Sequence, residues 1–184
     1  MHYTVPIIVI VAIILLILIY FSRSTKALRR LKNELDKDWS DIEFLFKQRQ
    51  DEVPRLIQTS RSYMPGEKPV LDSVSAARAL YQRATTADQK AAANTAIGET
   101  LTELFEVAGK HSDLRKNNSF VQLQTRIEEL DERISERCDL YRDGVTRFNT
   151  RIAHFPGSIV ARFAGLDPRP LYGTESGRAK TAAT

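Results

Sequence analysis

An uninterrupted apolar run near the N-terminus constrains the fold of this chain more than any other feature. Residues 5–21 read VPIIVIVAIILLILIYF and contain no charged or strongly polar side chain. As a helix, a segment of this length rises about 25 Å, near the lower limit for crossing the hydrocarbon core of a membrane. Tyr3 and Tyr20 stand at its two ends, where aromatic rings favour the membrane–water interface. The run therefore predicts a transmembrane helix.

Two other interpretations of this run, a cleavable signal peptide and a buried core helix, fit the sequence less well. A signal peptide carries basic residues before its apolar segment and a small-residue cleavage site after it, and this run has neither. A core helix that is apolar on every face would need a much larger protein around it. We therefore predict an uncleaved anchor over residues 1–22, a helical domain over residues 23–172 and a disordered polar tail over residues 173–184.

Basic residues follow the apolar run directly and precede the first acidic residue, Glu34. They are Arg23, Lys26, Arg29, Arg30 and Lys32, whereas only His2 precedes the run. The positive-inside rule then places the N-terminus outside and the folded domain in the cytoplasm. The same five residues are the candidate membrane contact, because each basic side chain near anionic headgroups contributes about 1 kcal/mol of binding free energy. The alternative is that they act only as a topology signal.

Beyond Ser22 the pattern changes from continuous apolar to amphipathic. Apolar residues recur at spacings of three and four, which predicts a long helix with one face toward a core. They are Leu28, Leu31, Leu35, Trp39, Ile42, Phe46, Val53 and Leu56. Arg49 interrupts this face, and we expect its guanidinium to reach solvent. Pro54 predicts a kink rather than an end, and Met64-Pro65-Gly66 predicts the end.

The last long helix has the most regular pattern in the chain. Charged residues occupy its outer positions, and Pro156-Gly157 predicts its end. Between the two long helices, Thr86 has capping-box spacing with Gln89, which predicts a helix start there. The apolar positions of the last helix are Phe120, Leu123, Ile127, Leu130, Ile134, Cys138, Tyr141, Val145, Phe148, Ile152 and Phe155.

Together these patterns predict an all-α protein: a single N-terminal transmembrane helix followed by a supercoiled, antiparallel up-and-down bundle of three to four long helices. The middle stretch, residues 70–109, equals the outer helices in length only if its parts run end to end. Either three long arms alternate in direction, or the middle arm breaks and folds back into a four-helix bundle. Farther on, one short apolar face is predicted to cap the bundle or to contact membrane or a partner. Its residues are Ile159, Val160, Phe163 and Leu166.

No arrangement of residues points to catalysis or to a bound cofactor. His111 and His154 are far apart, and neither forms a metal-binding spacing with Cys138, the one cysteine. A nucleophile elbow and a glycine-rich phosphate loop are both missing from the sequence. We therefore expect no catalytic, cofactor or metal site and predict that the protein is not an enzyme. The net charge is +4, with basic and acidic residues interleaved along the helices, which argues against nucleic-acid binding.

Three segments carry a resemblance to a known family. Residues 31–63, LKNELDKDWSDIEFLFKQRQDEVPRLIQTSRSY, contain an Asn, a Trp-x-x-Ile step and an Arg-x-x-x-x-Pro-x-Leu step. In this chain these are Asn33, Trp39 with Ile42, and Arg49 with Pro54 and Leu56. Residues 113–134 and 140–156 read DLRKNNSFVQLQTRIEELDERI and LYRDGVTRFNTRIAHFP. With the apolar anchor before them, these segments resemble the LemA family.

The resemblance implies a helical bundle tethered to a bacterial cell membrane, with no catalytic residues to carry over. The family often has Tyr-Asn and Tyr-Pro before its first and last helices, where this chain has Thr25-Lys26 and His111-Ser112. Asn33 and Asn149 each lie beside an apolar face. We expect each to set helix register through a buried hydrogen bond.

Three functions fit these predictions. The first is a membrane-tethered scaffold or adaptor that recruits other membrane-associated proteins. The second is a lipid-binding or membrane-shaping protein, which acts through the basic residues after the anchor and the apolar segment near the C-terminus. The third is a homo-oligomer that assembles at the membrane surface, since the apolar faces of long helices can pair between chains as well as within one.

Overall fold

The computed structural model describes residues 4–172 of the 184-residue chain, and the side chains of residues 11–172. Within this part the chain forms six helices and no strand, which confirms the predicted all-α class. The predicted disordered tail over residues 173–184 lies outside the described residues. The helices are α1 (Thr4–Arg61), α2 (Lys68–Arg83), α3 (Ala87–Ala108), α4 (Ser112–Arg115), α5 (Asn118–Ala153) and α6 (Gly157–Ala164).

Helix α1 continues without interruption from the apolar run into the amphipathic segment and ends at Arg61. From residue 7 to residue 53 the sequence has no Gly or Pro, so no residue there favours a break. Pro54 lies inside the helix, and α1 continues past it, as predicted. The helix then ends close to the predicted position, where the amide N–H of Met64 donates to the carbonyl oxygen of Ser60 at 3.0 Å.

The chain divides into two compact units, and each is described by itself. Unit 1 consists of Met1–Asp38 and Tyr141–Pro170, and unit 2 consists of Trp39–Leu140 and Leu171–Thr184. Helices α1 and α5 each contribute one part to unit 1 and the other part to unit 2.

Unit 2 contains four long helical segments: the C-terminal part of α1, α2, α3 and the N-terminal part of α5. Helices α2 and α3 pack along each other and are joined only by residues 84–86, so the middle stretch folds back on itself. Of the two predicted topologies, the structure therefore has the four-helix bundle. Helix α3 begins at the predicted capping box. In this box the Gln89 amide N–H donates to the Thr86 hydroxyl at 3.3 Å, and the Gln89 side-chain oxygen accepts from the Thr86 amide N–H.

Contacts along α1 show that α1 and α2 run in opposite directions. Phe46 meets Tyr81, with ring centroids 6.3 Å apart, whereas the carbonyl oxygen of Gln50 accepts from Nε of Arg78, which precedes Tyr81. The apolar faces of all four segments meet in one core, because burying them removes apolar surface from water. This core includes Val53, Leu56, Met64, Leu71, Val74, Ile97, Leu101, Leu104, Leu114, Phe120 and Ile127.

Unit 1 combines the first part of α1 with the end of α5 and with α6. At Gly144 a Cβ atom would lie 2.7 Å from Cδ2 of the buried Leu35, so a larger residue there would require the Leu35 side chain to shift. The other buried side chains of this unit are Leu28, Tyr141, Val145, Phe148, Ile152, Val160 and Ala161.

Candidate functional site

Among the described residues of unit 2, Arg49 on α1 is the most deeply buried charged residue and is only 3% exposed. Its guanidinium donates to the carboxylate of Asp131 on α5 and to the side-chain oxygen of Asn94 on α3, and Nη2 lies 2.6 Å from the Asn94 carbonyl oxygen. Gly98 lies against the guanidinium, since a Cβ there would be in ordinary van der Waals contact with Nη1 at 3.5 Å. The expectation that Arg49 reaches solvent is therefore wrong, because three acceptors lie within the bundle.

Three other buried polar residues follow Arg49 on α1. Glu52 is buried and accepts from Nε of Arg126 at 2.7 Å. The side-chain amide of Gln50 and the hydroxyl of Ser60 are buried, and within residues 4–172 they have no hydrogen-bond partner. The Arg49 guanidinium pairs with Asp131 inside the same unit, although its buried Nε has no hydrogen-bond partner within the described residues. Because the ion pair joins α1 to α5, we interpret the network as a structural element.

A second polar cluster lies beside Tyr81 in unit 2. The Glu43 carboxylate accepts from Nε1 of Trp39 at 2.7 Å and from Nζ of Lys90 at 3.0 Å. The pKa of Tyr81 is raised above its usual value. Partial burial is the main cause, the negative charge of Glu43 is the second, and the positive charge of Arg49 opposes the rise only in part. The Tyr81 hydroxyl therefore stays protonated at neutral pH.

No metal centre emerges from the described part of the chain. Among those residues, no group of three or more His, Cys, Asp or Glu is placed so that it could hold a metal ion. Cys138 is half-buried on α5. The absence of catalytic, cofactor and metal sites stays a prediction.

The outer surface of unit 2 carries a groove of about 430 Å³ along α5. Val121 is exposed within it, whereas Leu130 is buried beneath it. Charges of both signs and neutral amides share the same surface, so it offers apolar contact and hydrogen bonding together. The α5 residues span about 18 Å along the helix axis. The groove is lined by Gln48 of α1 and by Val121, Gln122, Thr125, Arg126, Glu129, Leu130 and Arg133 of α5.

In unit 1 the part of the apolar run from Val11 to Tyr20 does not pack against other described parts of the chain. Every side chain from Val11 to Tyr20 is exposed, and the large apolar ones are 46–66% exposed. A core helix would be buried, so this alternative for the run is excluded. The N-terminal helix is long and apolar enough to span a membrane.

The five basic residues that follow the run, Arg23, Lys26, Arg29, Arg30 and Lys32, are all exposed on α1. At 100° per residue they lie on one half of the helix, on the side away from the buried residues of α1 in unit 1. Within unit 1, Nε of Arg30 also lies 3.0 Å from the carboxylate of Glu34. Their exposure makes them available to headgroups, and the membrane contact itself stays a prediction.

The C-terminal segment of unit 1 is held by a residue that no sequence pattern singles out, Arg169. The Asn149 side chain donates to the Arg169 carbonyl oxygen at 2.8 Å and accepts from its amide at 2.9 Å. The Arg169 guanidinium donates to Asp36. Partial burial alone would lower the pKa of Arg169, but its interactions with the side chains of Asp36 and Tyr141 raise it. Asn149 thus anchors a chain segment rather than setting the register of two helices, and the expected buried bond of Asn33 is wrong because Asn33 is exposed.

We expect Asn149→Ala to release the segment around Arg169. The Arg169 amide stands between Pro168 and Pro170, which have no amide N–H, so it reports on this anchor alone. Losing the two hydrogen bonds costs about 1–2 kcal/mol, which raises amide exchange by about 5–30-fold. Hydrogen–deuterium exchange measures this, with Asn33→Ala as the control that leaves exchange unchanged. Equal exchange in the two variants would contradict the anchoring role.

Helix α6 divides its apolar residues between two sides, so the prediction of one short apolar face is wrong. Val160 is buried in unit 1, whereas Ile159 and Phe163 are exposed. Phe155, predicted on the apolar face of the last helix, lies in the turn before α6 and is 80% exposed. The Phe163 ring lies edge-on to that of Phe21, with centroids 5.7 Å apart. Spacing alone could not show this division, because an eight-residue helix completes only about two turns.

Comparison with known protein families identifies a match for most of the chain. The model of the LemA family matches residues 38–184. A search of curated proteins finds no match. The matched range begins within α1, so the apolar run and the basic residues after it lie before the range.

Proposed function

Because the chain belongs to the LemA family, we propose that it is a non-enzymatic protein tethered to a bacterial cell membrane, where its helical bundle acts as a scaffold or adaptor for other membrane-associated proteins. The observation that carries this proposal is the continuity of α1, which joins the exposed apolar run and the bundle in a single helix. The apolar run and the first helical segment of the bundle are thus parts of one continuous helix.

The tether is supported by the exposure of the apolar run on all sides. Such a surface is costly in water and is favourable among lipid acyl chains. A cleaved signal peptide is disfavoured, because the same helix continues through residues 22–61 and buries Leu28 and Leu35 in unit 1. The basic residues after the run favour a cytoplasmic bundle and an N-terminus outside.

The groove along α5 is the surface that we assign to recruitment. Its α5 part spans about three helical turns, a length that suits the side of a partner helix. Val121 would contact an apolar residue of that helix, and Arg133 and Glu129 would select charges of opposite sign. The Arg49 network, which joins α1 to α3 and α5 inside unit 2, supports the structural part of the proposal.

Photo-crosslinking in native membranes tests recruitment. A photoreactive amino acid is placed at Gln122 or Thr125 in the groove, and at Thr102 on the exposed side of α3 as the control. We expect discrete crosslinked products from the groove positions that the control does not give. A Val121→Lys change should reduce their yield by about tenfold, because it places a charge in the apolar contact and costs about 1.4 kcal/mol.

Mass spectrometry of the products identifies the partner. Peptides from another membrane-associated protein support the adaptor role. Peptides from a second copy of the chain indicate a homo-oligomer instead. If groove and control positions give the same products, the groove does not recruit proteins and this part of the proposal is wrong.

A further inference from the structure

Three apolar residues near the end of unit 1 are exposed, and together we call them the α6 patch: Phe155 in the turn before α6, and Ile159 and Phe163 on α6. Phe155 and Phe163 are 80% and 81% exposed, and Ile159 lies one turn from Phe163 on the same side of α6. On the inner side of the helix, Val160 and Ala161 are buried. Helix α6 is thus held in unit 1 by Val160 and Ala161, while Ile159 and Phe163 on its other side and Phe155 in the turn before it are exposed.

The position of the patch indicates what covers it. Phe163 contacts Phe21, the last residue of the apolar run, through the edge-on ring contact at 5.7 Å. Both residues belong to unit 1. The apolar patch is therefore continuous with the apolar run at the end where α1 would leave a membrane.

Basic residues stand next to the aromatic rings on both segments. Arg23 and Lys26 are exposed just after Phe21 on α1, and Arg162 is exposed on α6 beside Phe163. Apolar side chains next to basic ones are typical of helices that lie in the membrane interface, where rings reach the acyl chains and cations meet anionic headgroups. A water-exposed helix would not require two aromatic rings on its outer side.

We propose that α6 is a second membrane-binding element, which lies in the interface of the leaflet where α1 emerges and inserts Phe155, Ile159 and Phe163 among the lipid acyl chains. This inference rests on the proposed membrane tether and does not depend on the recruitment of proteins. The ligand is a lipid surface with anionic headgroups, because the flanking charges are basic. Helix α6 thereby holds the end of unit 1 against the bilayer.

Tryptophan quenching by brominated phospholipids tests this in the full-length chain, reconstituted in vesicles of phosphatidylglycerol and phosphatidylcholine. Trp39→Phe removes the single native tryptophan. On that background Phe163→Trp reports on the α6 patch, Leu16→Trp reports on the apolar run, and Arg151→Trp, at an exposed position of α5 in unit 1, is the control. Circular dichroism verifies that each variant keeps its helical content.

We expect Phe163→Trp to show a blue-shifted emission and to lose fluorescence with brominated lipid, at a depth of about 5–10 Å below the headgroups. Leu16→Trp should be quenched as well, and Arg151→Trp should not. If only Leu16→Trp is quenched, the tether stands and the role of α6 is overturned. If neither is quenched, the tether itself is overturned. A blue shift of Phe163→Trp without quenching shows that protein covers the patch, which also overturns the proposal.

Discussion

Asp131→Ala is expected to lower the free energy of unfolding of the bundle by about 3 kcal/mol. The substitution leaves the Arg49 guanidinium buried with only the neutral oxygens of Asn94 as acceptors. We place the effect at the lower end of the range for broken buried pairs because the Asp131 side chain is 39% exposed, so water replaces part of the lost interaction. Urea unfolding of the chain in detergent, followed by circular dichroism, measures it.

Glu132→Ala is the matched control. It removes one negative charge, as Asp131→Ala does, from the next position of α5, where the side chain is exposed. Its effect should stay within about 0.5 kcal/mol. A second comparison adds Arg49→Met to Asp131→Ala. The double variant no longer carries the unpaired buried charge. Its loss in free energy of unfolding should therefore be smaller than the sum of the losses of the two single variants, by at least about 1 kcal/mol. Strict additivity would show that the network does not act as a unit.

Phe120→Ala is expected to lower the free energy of unfolding by about 3–5 kcal/mol, because it truncates a large side chain in the core of unit 2. Phe120 is 1% exposed, and its ring lies edge-on to Phe105 with centroids 6.4 Å apart. Removing the ring leaves a cavity that neighbouring helices can fill only in part. This loss is a large fraction of the free energy of unfolding of a typical domain, about 5–15 kcal/mol.

The control for this prediction is the same substitution at an exposed phenylalanine. Phe155→Ala removes an equal side chain that is 80% exposed, so in detergent it should change the free energy of unfolding by no more than about 0.5 kcal/mol. The urea series used for Asp131 serves both variants. Similar losses at the two positions would contradict the assignment of Phe120 to the core and of Phe155 to the outer surface.

Helix positions and their inner faces could be predicted because they depend on local spacing. Along α5, the predicted apolar positions from Phe120 to Ile152 are mostly buried, since a period of 3.6 residues places them on one side of the helix. The capping box at Thr86 was predictable for the same reason, because both of its partners lie within three residues. The exposed apolar run was recognisable from composition alone.

The partners of polar residues could not be predicted in this way. Arg49 pairs with residues 45 and 82 positions away, and its spacing on α1 gave no sign of them. Asn149 was predicted as a polar residue of interest, yet its partner Arg169 lies beyond α6 in a segment without periodicity. For the candidate groove, the α5 residues share a helical face in the sequence, but the presence of Gln48 beside them depends on packing.

By itself, the sequence determined that this protein is helical, which residues of its long helices face inward, and that one N-terminal helix is apolar enough to span a membrane. These properties follow from composition and from the period of the helix, both of which are local. Only the tertiary structure decided that the middle stretch folds back as α2 and α3, that Arg49 is buried, and that Phe163 meets the end of the apolar run. Each of these depends on which surfaces, distant in sequence, pack together. The free energy of such a contact is determined by both surfaces, whereas the spacing of residues along one helix describes only one of them.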